Sequence, residues 1–118
     1  MKERRRAKRV EVGVPVKTAV LVHRTGRISE GRWTLSRDMS ELGMYILYDT
    51  SIPVGTEVEL TFDLPGVARN VLTKGVVKRV EHAVEEEWGS GGMAVEFTDV
   101  PLSSKKAINE FMEKAISR

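Results

Sequence analysis

At Pro101 the apolar residues change period, and this change constrains the fold more than any other feature of the chain. After it, Ala107, Ile108, Phe111, Met112, Ala115 and Ile116 recur at spacings of three and four, which places them on one face of a helix. Ser103 or Ser104 is positioned to cap its first turn. Before Pro101 the apolar residues come in short β-branched runs separated by turn formers. Residues 57–62 alternate Glu57 and Glu59 with apolar neighbours, the period of a half-buried strand. Residues 14–23, 31–37, 43–48, 71–81 and 92–97 are the other predicted strands, with Lys74, Lys78 and Arg79 facing water. Residues 27–31, 51–55 and the pair Pro65-Gly66 read as turns or connections, and residues 85–91 as an exposed hairpin loop. Six strands followed by one helix predict a mainly β fold: a small six-stranded antiparallel β-barrel with a C-terminal helix across one opening.

The 118 residues suffice for one domain. They divide into a basic arm, residues 1–9, and a barrel with its helix, residues 10–118. Lys2, Arg4, Arg5, Arg6, Lys8 and Arg9 crowd the arm, relieved by Glu3 alone. Removing these six cations and one anion from totals of 19 Lys+Arg and 17 Asp+Glu leaves 13 against 16, so the remainder is slightly acidic. Grip on a long nucleic acid uses basic residues spread over a face. A short arm fits a compact polyanion better, and is otherwise a solvated tail.

The chain has no cysteine, which excludes disulfides, thiolate metal ligands and cysteine nucleophiles. No apolar run approaches the ~20 residues of a membrane span, and Met1 is followed by charge, so a soluble cytoplasmic protein is expected. An enzyme is not expected. His23 and His82 fall in or beside predicted strands without a pattern of metal ligands, there is no phosphate-binding glycine loop or nucleophile elbow, and Glu85 to Glu87 form a charge run.

Two short patterns remain: Arg5-Arg6-Ala7-Lys8-Arg9, an RxxxR pair, and Asp38-Met39-Ser40-Glu41-Leu42-Gly43, a DxSxxG run between predicted strands. Arginines four apart lie on one side of an extended segment or a helical turn. A guanidinium can donate twice to guanine O6 and N7, stack on a base and pair with phosphate. Asp38 and Ser40 can accept from N–H groups on a purine edge. Gly43 permits close approach of a ligand or backbone, or a positive φ. Alternatively, the run is an ordinary turn in which Asp38 and Ser40 bond nearby backbone N–H groups.

RxxxR before the first strand, DxSxxG between the second and third, a last strand running from Gly92 to Phe97 and a terminal helix together resemble the PilZ domain, over nearly the whole chain. The family is a bacterial β-barrel receptor for cyclic di-GMP, and the two motifs are its ligand-binding signature. The resemblance implies that Arg5 and Arg9 contact guanine and phosphate, that Asp38 and Ser40 bond a guanine, and that Gly43 leaves room for it. It further implies that Arg4, immediately before RxxxR, favours an intercalated pair of ligands. The family often ends the second motif with two glycines, whereas this chain has Leu42 before Gly43.

The expected function is a non-catalytic cyclic di-GMP receptor and adaptor, with no cofactor, two ligands per chain and a downstream protein partner. Two alternatives belong to other classes: a small barrel binding single-stranded nucleic acid through the arm, and a protein-interaction module without nucleotide. Aromatic residues make up 6% of the chain, few for the stacking platforms that single-strand binding uses.

Overall fold

A computed structural model of the chain describes residues 9–22, 27–28, 31–48, 52–81 and 91–116. These contain eight strands, β1 (Val10–Glu11), β2 (Pro15–Val22), β3 (Arg27–Ile28), β4 (Arg32–Met39), β5 (Gly43–Leu47), β6 (Glu57–Leu64), β7 (Ala68–Glu81) and β8 (Gly92–Asp99), followed by helix α1 (Leu102–Ile116). The six long strands run in the order β4, β5, β8, β7, β6, β2, and β2 pairs back to β4, which closes an antiparallel barrel. β1 extends the sheet beside β4, and β3 beside β2.

β6 follows the alternation expected of it along its whole length, with Val58, Leu60, Phe62 and Leu64 buried. These side chains meet Val16, Met39, Met44, Ile46, Val77, Met93 and Val95 in the barrel interior. The predicted strands are all present, and β4, β6, β7 and β8 extend beyond their predicted bounds. Of the turn expected at residues 27–31, Arg27 and Ile28 instead pair with Val22 and Leu21, and residues 29–30 lie outside the described residues. The Pro65-Gly66 turn is present, closed by the Val67 N–H donating to the Leu64 carbonyl at 2.9 Å. His23, His82 and the acidic run at residues 85–87 lie outside the described residues.

Helix α1 presents Ala107, Ile108 and Met112 to the barrel as expected, with Phe111 packed against the core. Ile116, assigned to the same face, is instead exposed at the helix end. The expected serine cap is also corrected. Ser103 and Ser104 already lie inside the helix, whose first turn is closed by Lys105 N–H donating to the Pro101 carbonyl at 2.8 Å. Ser104 Oγ reaches across to the Leu72 carbonyl of β7 at 2.6 Å and ties the helix to the barrel. Among the described residues, no helix is long and apolar enough to cross a membrane, and no three His, Cys, Asp or Glu side chains cluster as metal ligands.

Candidate ligand-binding site

The site is assembled by an irregularity in β4. Ser36 opposes Ile46 on β5, yet Asp38 already opposes Tyr45, so Arg37 is the extra residue of a bulge. Ser36 and Met39 point into the core, whereas Arg37 and Asp38 both turn outward over Tyr45. β7 repeats the device on the other side. Val77 opposes Val95 and Arg79 opposes Ala94, which leaves Lys78 as an extra residue and puts Lys78 and Arg79 together on the outer face.

Arg9, the last residue of RxxxR, meets Asp38 directly. Its Nε donates to Asp38 Oδ1 at 2.8 Å and its Nη2 lies 2.7 Å from the same oxygen. Arg37 Nε donates to the other oxygen, Oδ2, at 3.1 Å. Both oxygens of Asp38 therefore accept from guanidinium groups, and among the described residues these take the place of the backbone N–H groups that the turn reading assigned them. The Asp38 side chain is 15% exposed, so the ion pairs lie where water only partly screens them.

Ser40 does take the turn role. It is buried, its N–H donates to the Gly43 carbonyl at 2.9 Å, and its Oγ accepts from Leu42 N–H at 3.1 Å. The hydroxyl proton is still able to donate. Phe97 N–H donates to the Leu42 carbonyl at 2.8 Å and fastens this turn to β8. At Gly43 a Cβ would stand 2.3 Å from the Val95 carbonyl oxygen. Of the reasons for glycine there, close approach of the neighbouring strand therefore applies. Arg4 and Arg5 lie outside the described residues.

Arg37 was not singled out from the sequence, and Tyr45 stood out there only as one of the aromatics, with Trp33, Tyr48 and Trp88, open to base stacking. The Arg37 guanidinium stacks on the Tyr45 ring, 3.9 Å from its centroid. Tyr45 OH donates to Glu81 Oε1 at 2.6 Å, and Arg79 Nε donates to Glu81 Oε2 at 3.3 Å. Burial, and then the bond to Glu81, push the Tyr45 phenol up to about 12. The same bond, followed by the charge of Arg79, holds the Glu81 carboxyl below its usual range despite some desolvation. A shallow cleft of about 290 Å³ opens beside this group, with Arg9, Leu42 and Gly43 on one side and Lys78, Ala94, Val95 and Glu96 on the other. Lys78 Nζ lies 3.6 Å from Glu96 Oε1. Ala94 opposes both Tyr45 and Arg79 and so lies between the two bulges, and the guanidinium and ammonium groups around it suit a flat anionic ligand.

Solved structures share this fold. The B. subtilis inhibitor of motility (MotI/DgrA) superposes with a TM-score of 0.77 at 20% identity, covering 99% of this chain and 54% of that one. The K. pneumonia MrkH–c-di-GMP complex gives 0.73 at 16% identity, covering 98% and 54%. The PilZ domain of E. coli YcgR with c-di-GMP gives 0.68 at 12% identity, covering 98% and 93%. The chain thus spans about half the length of the first two proteins. No curated protein matches its sequence. The PilZ domain model matches residues 3–114, and on that match, joined to the closed barrel and terminal helix, the chain belongs to the PilZ domain family of non-catalytic domains that typically bind cyclic di-GMP.

Proposed function

We propose that this chain is a cytoplasmic cyclic di-GMP receptor and adaptor in which the arm carrying Arg4, Arg5 and Arg9 closes over the ligand against Asp38, Ser40 and Gly43. The observation that carries this reading is the junction of the two motifs: Arg9, 29 residues away in sequence, holds Asp38 through Nε and Nη2. An arm anchored there brings Arg4 and Arg5 within a few residues of the cleft. Lys78 adds positive charge on its far wall. Ordering each arm residue costs about 1–2 kcal/mol, so charge-assisted bonds to two phosphates and stacking on guanine must exceed that cost. The closed arm then presents a surface for a downstream protein.

Calorimetric titration with cyclic di-GMP, GTP and a mixed oligonucleotide tests the reading. Saturable heat with cyclic di-GMP, and none with the oligonucleotide, is expected. Binding of the oligonucleotide instead would move the chain to the nucleic-acid class, and no binding of any of the three would leave a protein-interaction module. The proposed stoichiometry is two ligands per chain, because a third arm guanidinium at Arg4 can stack on a second guanine and offset its phosphates. A ratio near one in the wild type rejects that stoichiometry; with a ratio near two, Arg4→Leu should move it towards one.

A further inference from the structure

The geometry points to Arg37 as a positioning residue that fixes the carboxylate of Asp38 and thereby sets selectivity for guanine over adenine, an inference that rests on the cyclic di-GMP reading above. Adjacent residues of a regular strand point to opposite faces and do not meet. The bulge in β4 removes that restriction, which is why Arg37 Nε reaches Asp38 Oδ2 at 3.1 Å.

Arg37 is itself held in place. Its guanidinium stacks on Tyr45, and the same ring packs close to Gly92, where a Cβ would stand 2.5 Å from Tyr45 Cε1 and 2.9 Å from Cζ. Gly92 therefore leaves space for the ring, and the bond to Glu81 fixes the ring's far end. The two arginines on Asp38 differ in origin. Arg9 belongs to the segment proposed to rearrange on the ligand, whereas Arg37 belongs to the barrel. When Arg9 turns to guanine or phosphate, Arg37 is the contact that keeps the carboxylate from rotating.

Rotation matters because guanine presents two parallel donors, N1–H and the 2-amino group, that meet a carboxylate in the plane of the base. Each carboxylate oxygen accepts more than one bond, so Arg37 on Oδ2 leaves capacity for guanine. Adenine presents an acceptor, N1, in the corresponding place. A fixed carboxylate opposes that acceptor, while a free one turns away and relieves the repulsion. Removing Arg37 should therefore weaken guanine recognition and leave adenine recognition unchanged or slightly improved, so that the two affinities draw together.

The test measures affinities of wild type, Arg37→Ala and Arg37→Lys for cyclic di-GMP and cyclic di-AMP by calorimetry, with thermal melts to confirm folding. Arg37→Ala should lower affinity for cyclic di-GMP about tenfold and narrow the ratio between the two ligands by a similar factor, as loss of an oriented hydrogen-bonding group does. Arg37→Lys should fail to restore the ratio, because it keeps the charge without Nε or the flat face. A ratio unchanged in Arg37→Ala, an equal loss for both ligands, or full recovery with lysine would overturn the inference. Failure of the wild type to bind cyclic di-GMP would instead refute the underlying function.

Discussion

Arg9 grips one oxygen of Asp38 through two nitrogens, Nε at 2.8 Å and Nη2 at 2.7 Å, so the last residue of the arm and the first of the DxSxxG run form one unit. A guanine bound to Asp38 has to share the carboxylate with this arginine or draw it away.

Substitution at either residue should reveal that unit. Arg9→Ala is expected to weaken cyclic di-GMP binding by about 1–3 kcal/mol, the range for a good arginine–guanine contact, and lysine should not restore it. Asp38→Ala should weaken binding and relax discrimination against cyclic di-AMP. The Arg9 side chain is 48% exposed, so loss of this pair should cost folding no more than about 1 kcal/mol. Calorimetry beside thermal melts separates the two effects: a large fall in Tm with unchanged affinity would show that the pair serves the fold alone.

Gly43→Ala should act mainly on the barrel. The added methyl would meet backbone, the Val95 carbonyl oxygen at 2.3 Å, and backbone in a paired strand yields less readily than a side-chain tip. Overpacking of this kind costs about 1–3 kcal/mol, which appears as a fall of several degrees in Tm. A melting temperature equal to wild type, with binding abolished, would return Gly43 to the role of leaving room for the ligand.

The two serines once assigned to capping should behave differently. Ser104→Ala removes the bond to the Leu72 carbonyl and should cost about 1–2 kcal/mol, since the acceptor stays behind partly shielded from water. Ser103→Ala, at an exposed position inside the helix, should leave stability within about 0.5 kcal/mol of wild type. Urea unfolding of both variants provides the comparison, and equal losses would restore the capping role.

These residues also show what was legible in the sequence. Period-two alternation in β6 and period-three-to-four spacing in α1 report burial directly, so the barrel and helix could be read from them. Asp38 and Arg9 were found through their motifs. Arg37 escaped because regular alternation would place it on the face opposite Asp38, and only the bulge brings the two together. The signal was nevertheless present: two charged residues, Arg37-Asp38, stand between inward Ser36 and Met39, just as Lys78-Arg79 stands between Val77 and Val80. A charged doublet inside an otherwise alternating strand marks an extra residue. Tyr45 was obscured differently, since its outward position on β5 is buried by Arg37 from above, so a run of apolar letters hid which face it took.

Tyr45 also gives the fold a pH signature. Its phenol is pushed up to about 12 by burial and by donation to Glu81, whereas in the unfolded chain a tyrosine ionises near ~10. The unfolded chain therefore releases this proton first. The contribution is complete below about pH 10 and is lost as pH rises through about 12. Tyr45→Phe keeps the ring under Arg37 but removes the titrating group. Urea unfolding of both proteins from pH 8 to 11.5 should show wild type ahead by about 1 kcal/mol at pH 8, with the difference shrinking as pH climbs past 10. Every other ionisable group is common to both proteins, so the difference between the two curves isolates Tyr45. A constant difference across the range would mean that the Tyr45–Glu81 bond does not hold the phenol protonated.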